Sequence, residues 1–97
     1  MLIHFSSDFV FDGTKKIYYE DSKTNPLNFY GISKNISDSL IFNYAKNYLI
    51  IRTSWIYSDI KNNFVKNILS QIHIKNKIKV TDEEFGSPTS SKYLAEL

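Results

Sequence analysis

The chain contains 97 residues with a formal net charge of +2, no cysteine and only three glycines. Its length allows one small domain, over residues 1–97, and excludes a complete dinucleotide-binding fold with two βαβαβ halves. The absence of cysteine excludes disulfides and zinc–thiolate sites. The three glycines are too far apart to form a glycine-rich phosphate loop. A net charge of +2 is too small to indicate a nucleic-acid partner.

A short apolar segment begins the chain and ends in polar residues. Leu2–Ser6 is typical of a buried strand, and Ser7 and Asp8 continue it into a loop at its carboxyl end. Asp12–Thr14 contains an Asp-Gly turn signal, and the polar segment that follows to Asn25 indicates a surface loop. This part of the pattern predicts one strand followed by a long loop.

The sequence after this loop predicts a helix that ends near Lys46. Asn25, which precedes a proline, and Asn28 are alternative N-cap residues. Apolar residues then recur at spacings of three and four, which is the pattern of one helix face. We expect this face to pack on the core, and it consists of Phe29, Ile32, Ile36, Leu40 and Tyr44.

The second half of the sequence continues the alternation of strands and helices. Its predicted elements are a buried strand at Tyr48–Ile51, a helix at Phe64–Ile72, a short strand at Ile78–Thr81 and a last helix through Leu94, capped by Ser90 or Ser91. The order β-α-β-α-β-α is typical of an α/β fold with a parallel sheet. Ligands bind such sheets beyond the carboxyl ends of the strands, where Ser6–Asp8 and Arg52–Trp55 are expected to lie.

Tyr30 and Lys34 are four residues apart on the first predicted helix and therefore share one face, beside the apolar one. A phenol is a weak acid near neutral pH, and a neighbouring ammonium group favours its ionised form. Such a tyrosine can give a proton to a carbonyl oxygen, and the Ser7 hydroxyl could hold the same oxygen. Taken alone, the pair is better explained as a surface tyrosine beside a solvated lysine, because the chain has seven tyrosines.

Five segments together resemble one family. Tyr30–Lys34, with the sequence YGISK, resembles the YGxSK active-site motif of the extended short-chain dehydrogenases/reductases. Four further segments are similar, in the same order, to motifs of the dTDP-4-dehydrorhamnose reductase branch of that family. They are Ser6–Gly13, Asn25–Gly31, Arg52–Tyr57 and Phe85–Thr89. Because the five segments are spread along nearly the whole chain in the same order, they are more specific together than the tyrosine–lysine pair alone.

The resemblance implies a fold, a reaction and a set of site residues. The fold is part of a Rossmann-like doubly wound parallel sheet, and the reaction is reduction of the 4-keto group of dTDP-4-dehydro-L-rhamnose by NADPH or NADH. Tyr30 would be the proton donor and, together with Lys34, would contact the cofactor. Ser7 would bind the reacting oxygen, and Asp8 and Trp55 would contact the nucleotide-sugar substrate.

The glycine-rich first βα turn of that family has no counterpart in residues 1–97, so the resemblance is to a fragment without the N-terminal glycine-rich half. We therefore expect the isolated chain to be inactive as an enzyme. Two alternatives stay open, a non-catalytic or regulatory protein on the same scaffold and an inactive truncated product. Exposed sheet edges would also allow copies of the chain to pair into a homo-oligomer.

The sequence also limits location and partners. No stretch approaches the roughly 20 apolar residues of a membrane span, and the N-terminus lacks the basic and apolar regions of a secretory signal. We expect a cytoplasmic protein that binds neither a membrane nor nucleic acid. The two histidines, His4 and His73, are far apart in sequence, and no metal site is expected.

Overall fold

The computed structural model of the chain describes residues 1–60, 62–75 and 77–97. They form two compact units, Met1–Thr53 and Ser54–Leu97, and the single domain expected over residues 1–97 stays a prediction. The first unit contains β1 (Leu2–Ser7), a 3-10 helix (Asp8–Val10), α1 (Phe29–Tyr44) and β2 (Tyr48–Thr53). The second unit contains β3 (Ile56–Tyr57), α2 (Phe64–Ile72), β4 (Thr89–Ser90) and α3 (Ser91–Glu96).

β1 and β2 form a parallel pair, as the alternation of strands and helices predicts. Leu2 pairs with Tyr48 and Ser7 pairs with Thr53, so the two strands end level with each other. Parallel neighbours need a crossover connection, and α1 lies between the two strands in the chain and supplies it. Ser7, the last residue of β1, and Asp8, which follows it, therefore lie at the carboxyl edge of the pair, where ligands bind in sheets of this kind.

The N-cap of α1 is Asn28, the second of the two predicted candidates. Its side-chain oxygen accepts a hydrogen bond from the backbone N–H of Gly31 at 2.7 Å, which satisfies a free donor of the first turn. The other candidate, Asn25, instead donates its side-chain amide to the carboxylate of Asp12 at 3.1 Å. The helix ends at Tyr44, two residues before the expected end.

The face of α1 that packs on the strands is not the apolar face that periodicity predicts. That apolar face keeps 42–90% of its side-chain surface exposed at Phe29, Ile32, Ile36, Leu40 and Tyr44. The buried residues of the helix are Gly31 and Asp38. Gly31 allows close backbone contact, and the Asp38 carboxylate forms an ion pair with Arg52 of β2 and lies beside the His4 ring of β1. The prediction was wrong because periodicity detects an apolar stripe but not the groups that pack against the helix.

Few apolar side chains are buried in either unit. Within the described ranges, the buried apolar side chains are Val10 in the first unit and Leu94 in the second. The strands predicted to be buried are partly exposed, since Leu2, Ile3, Phe5 and Leu49 each keep more than two fifths of their surface. One helix that packs through a small and polar face is not enough to cover them. None of the helices in the described part of the chain has the length and apolar character needed to cross a bilayer.

The second unit agrees with the predicted helices but not with the predicted strand. α2 spans Phe64–Ile72, and α3 follows its N-cap Ser90, one of the two candidates. The strand expected at Ile78–Thr81 is not formed, and β3 and β4 instead make a parallel pair of two residues each. A strand requires a hydrogen-bonding neighbour as well as a β-branched sequence, and strands of two residues are too short to produce a period-two pattern.

Candidate active site

The segment after β1 is a tight turn held by the side chain of Ser7. The Ser7 hydroxyl donates a hydrogen bond to Oδ1 of Asp8 at 3.1 Å and accepts one from the backbone N–H of Phe9 at 3.2 Å. It thereby caps the 3-10 helix, whose last residue, Val10, is fully buried and anchors the turn. This arrangement places Ser7, which is buried, and Asp8, which is half-buried, at the carboxyl edge of the parallel pair.

Gly31 brings the first turn of α1 directly against this 3-10 helix. An ideal Cβ at Gly31 would overlap the backbone carbonyl oxygen of Phe9 and lie 3.0 Å from Cβ of Pro26. Only glycine allows this approach, which sets the preceding residue, Tyr30, beside the turn. The rings of Phe9 and Tyr30 meet edge to face, with centroids 5.9 Å apart and planes at 81°. Tyr30 is 53% exposed, so its phenol remains accessible to a ligand.

Lys34 connects α1 to the end of β1. Its ammonium nitrogen donates a hydrogen bond to the backbone carbonyl of Phe5 at 3.0 Å. The same nitrogen lies 5.9 Å from the centroid of the Tyr30 ring. The predicted pair on one helix face is therefore present, and the Phe5 carbonyl holds the positive charge near the phenol. A phenol with a fixed cation beside it is suited to exchange a proton with a carbonyl or alcohol oxygen.

Asp38, which the sequence pattern does not single out, connects the helix that carries Tyr30 and Lys34 to the two strands. It is only 4% exposed, and its carboxylate accepts a hydrogen bond from Nε of Arg52 on β2 at 3.1 Å. Its other oxygen, Oδ1, lies 3.5 Å from Nε2 of His4 on β1. One carboxylate thus ties α1 to both strands, one helical turn after Lys34. The four-residue spacing from Lys34 to Asp38 was the available signal, because it places both side chains on one face.

Asp12 organises the predicted turn at residues 12–14. Its carboxylate accepts hydrogen bonds from the Tyr18 hydroxyl at 2.7 Å, from the Asn25 amide at 3.1 Å and from Thr14. These bonds, the one from Tyr18 first, hold the pKa of Asp12 well below its usual range. Gly13 adopts a left-handed conformation with φ of 73°, which glycine accommodates without strain. The loop between the 3-10 helix and α1 is therefore held together by hydrogen bonds to the Asp12 carboxylate.

A stack of side chains joins this loop to β2. The rings of Phe11 and Tyr18 are stacked, with centroids 4.3 Å apart and planes at 21°. The guanidinium carbon of Arg52 lies 5.2 Å from the centroid of the Phe11 ring, in cation–π geometry. Arg52 thus contacts both the Asp38 carboxylate and this stack. The loop that follows Ser7 and Asp8 is held to the sheet through one arginine.

The structure groups four of the five residues predicted for the site. Ser7, Asp8, Tyr30 and Lys34 all belong to the first unit and lie around the junction of β1, the 3-10 helix and α1. Trp55 belongs to the second unit, where its ring meets that of Phe64 edge to face at a centroid distance of 4.8 Å.

Comparisons with known proteins show a consistent family likeness. A family model described as the RmlD substrate binding domain matches residues 1–97. The spore coat polysaccharide biosynthesis protein SpsK of Bacillus subtilis is 40% identical over 95 residues, which are 97% of this chain and 34% of the relative. The dTDP-4-dehydrorhamnose reductase of Escherichia coli K12 is 36% identical over 96 residues, which are 98% of this chain and 32% of the relative. The chain thus spans about a third of the length of the curated relatives it matches.

Solved structures give the same result. The dTDP-4-dehydrorhamnose reductase of Bacillus anthracis, determined in complex with NADP, superposes with a TM-score of 0.86 at 35% identity. The match covers 96% of this chain and 34% of that one. A dTDP-4-dehydrorhamnose reductase from Clostridium acetobutylicum superposes with a TM-score of 0.84 at 35% identity, over 97% of this chain and 34% of that one. The likeness therefore extends over nearly all of the 97 residues.

Proposed function

The chain belongs to the RmlD substrate binding domain family, and from that membership we propose that it carries the proton-donating segment of a dTDP-4-dehydrorhamnose reductase. The reaction is reduction of the 4-keto group of dTDP-4-dehydro-L-rhamnose to the alcohol of dTDP-L-rhamnose. Support comes from the reductases of about three times this length that match nearly the whole chain. In this proposal Tyr30, Lys34 and Ser7 are the catalytic residues.

The observation that carries the proposal is the packing of Gly31 against Phe9. This contact puts the exposed phenol of Tyr30 beside the turn that begins with Ser7, at the edge of the sheet where ligands bind. A cation lies near the same phenol because the Phe5 carbonyl anchors Lys34. A proton donor, a cation and a hydroxyl group are the groups that reduction of a carbonyl requires from a protein, and here they lie on adjoining elements of the first unit.

NADPH is the cofactor we propose, with NADH as the alternative. The Bacillus anthracis relative was determined with NADP, which favours the phosphorylated form. The Lys34 ammonium and the Tyr30 hydroxyl fit the nicotinamide–ribose end, and the buried Ser6 hydroxyl at the same edge has no hydrogen-bond partner within the described ranges. Gly31 offers no cradle for the pyrophosphate because the Phe9 backbone occupies the space beside it. Bound NADPH would supply the hydride.

The chain's own residues would hold the reacting oxygen and deliver the proton. The Ser7 hydroxyl now donates to Asp8, and in the complex it would donate to the sugar oxygen while still accepting from the backbone N–H of Phe9. Tyr30 would give its phenolic proton to the same oxygen as negative charge develops there. Lys34 would stabilise the phenolate that remains. Asp8, which would no longer accept a hydrogen bond from Ser7, would contact the nucleotide sugar, and so would Trp55.

A chimera gives the direct test of this assignment. In the Escherichia coli reductase, the matched third of the chain is replaced by residues 1–97, so that a complete enzyme surrounds this segment. We expect the chimera to reduce dTDP-4-dehydro-L-rhamnose with NADPH. Tyr30→Phe should lower kcat by about 100-fold or more, as loss of a positioned general acid does, while NADPH still binds through Lys34. The matched control is Tyr44→Phe, at an exposed tyrosine on the same helix.

Two outcomes would contradict the proposal. Full turnover of the Tyr30→Phe chimera would exclude this phenol as the acid. An inactive but folded chimera that still binds NADPH would favour the alternative of a non-catalytic protein on the same scaffold. The 97-residue chain by itself should bind NADPH weakly, and calorimetric titration that gives a dissociation constant of about 1 μM or tighter would overturn that expectation.

A further inference from the structure

Trp55 has a backbone conformation that a bulky residue rarely adopts. Its φ is 46°, in the left-handed region, and it is the one non-glycine residue with positive φ in the part of the chain that the structure describes. Such a conformation costs about 1–3 kcal/mol and persists only where the surroundings enforce it. Here the Trp55 carbonyl accepts a hydrogen bond from the backbone N–H of Thr89 at 3.2 Å, and the next residue, Ile56, pairs with Thr89.

The indole of Trp55 is held by two residues of its own unit. The Phe64 ring meets it edge to face, with planes at 73°. An ideal Cβ at Gly86 would overlap Nε1 of the indole and lie 2.6 Å from Cε2 and 2.8 Å from Cδ1. Because these three atoms are consecutive in the ring and nearly equidistant, the Gly86 backbone lies over the face of the pyrrole ring. Any side chain at residue 86 must therefore displace the indole or the backbone.

We propose that Gly86 is a positioning residue, which acts by leaving space for the indole of Trp55 in the orientation that contacts the nucleotide sugar. The inference rests on the proposed function, in which Trp55 is a substrate contact. An aromatic ring that is fixed before binding loses little conformational entropy when a sugar or a base packs on it. The strained backbone of Trp55, the β3–β4 pair and the absent side chain of Gly86 together provide that fixation.

Fluorescence of the 97-residue chain tests the positioning directly, because Trp55 is its only tryptophan. We expect Gly86→Ala to shift the emission to longer wavelength and to increase quenching by acrylamide, since the added methyl group pushes the indole outward. Ser87→Ala, at the adjacent exposed residue, is the matched control and should leave both unchanged. Unchanged emission and quenching in a folded Gly86→Ala chain would overturn the proposal.

Kinetics of the chimera test whether the effect reaches the substrate through Trp55. Gly86→Ala should raise the KM for the nucleotide sugar about fivefold to tenfold, the loss of one well-placed aromatic contact, without changing kcat or the KM for NADPH. In a Trp55→Phe background, Gly86→Ala should raise that KM much less. Equal effects in the two backgrounds would overturn the positioning role.

The proposal can still be tested if Gly86→Ala prevents the chain from folding. If circular dichroism shows the Gly86→Ala chain unfolded, Trp55→Ala should restore its structure, because it removes the ring that the new methyl group meets. Failure of that rescue would overturn the proposal. The two hypotheses are tested by different experiments. An unmodified chimera without turnover would refute the proposed function. The fluorescence of the 97-residue chain would still test whether Gly86 positions Trp55.

Discussion

The ammonium group of Lys34 donates a hydrogen bond to the backbone carbonyl of Phe5, 3.0 Å away. Phe5 lies on β1 two residues before Ser7, and Lys34 lies on α1 one turn after Tyr30. This single bond therefore joins the strand end that carries the proposed hydroxyl to the helix that carries the proposed acid. Because the acceptor is a backbone carbonyl, side-chain substitution at Phe5 would leave it in place.

Lys34→Met is expected to reduce turnover of the chimera by about 100-fold or more, because it removes the cation that would stabilise the Tyr30 phenolate. It should also weaken NADPH binding, because Lys34 is proposed to contact the nicotinamide ribose. Steady-state kinetics and NADPH titration measure the two effects. Lys46→Met, at an exposed lysine beyond the end of α1, is the control, and similar rates for both variants would refute the role of Lys34.

Gly31→Ala is expected to lower the free energy of unfolding of the 97-residue chain by about 1–3 kcal/mol, the usual cost of overpacking. The new Cβ would overlap the Phe9 carbonyl oxygen, so α1 or the 3-10 helix must shift. Urea denaturation followed by circular dichroism gives the measurement. Asn43→Ala, on the exposed side of the same helix, should leave stability unchanged or raise it slightly. A Gly31→Ala chain as stable as wild type would show that α1 and the 3-10 helix accommodate a methyl group without cost, against this prediction.

Asp38→Leu is expected to destabilise the chain by roughly 1–3 kcal/mol, because it leaves the Arg52 guanidinium without its carboxylate. The loss is smaller than for a fully buried pair, since the Arg52 side chain keeps 25% of its surface exposed. Adding Arg52→Met should recover part of the loss, because it removes the unpaired charge. A double-mutant cycle in urea tests the coupling, and strictly additive effects would show that the two residues are independent.

Asp12 should make a pH-dependent contribution to stability. Because its pKa is lower in the folded chain than the ordinary value of 3.8, ionised Asp12 stabilises the fold above that value. The contribution is lost as the pH falls from 3.8 towards the lower folded pKa. The stability difference between wild type and Asp12→Asn should therefore shrink in acid, as urea denaturation at several pH values can show. Asp21→Asn is the control at an exposed acid of the same loop. A difference that stays constant across this range would contradict the assignment.

The features of the fold that the sequence predicts correctly depend on residues close together in the chain. Asn28 and Ser90 cap the helices that follow them, and the α2 bounds match the prediction, because capping and helix periodicity depend on residues within a few positions of each other. The parallel pairing of β1 with β2 follows from the helix between them. Tyr30 and Lys34 share a face for the same local reason, since a helix turn separates them.

The features of the fold that the sequence does not predict depend on contacts between residues far apart in the chain. The buried face of α1 depends on the Phe9 backbone, which contacts Gly31, and on the Arg52 and His4 side chains, which contact Asp38. The pairing of β3 with β4 joins segments more than thirty residues apart and replaces the strand expected at residues 78–81.

The sequence by itself determined where the three helices lie, the parallel connection and the presence of a tyrosine–lysine pair on one face, because each depends on short-range spacing and on preferences of single residues. Only the tertiary structure decided which helix face is buried, where the ammonium of Lys34 is anchored and why Trp55 adopts a left-handed conformation. Those features arise from backbone carbonyls, a missing Cβ and charged partners that fold into contact from distant positions, and no local pattern encodes them.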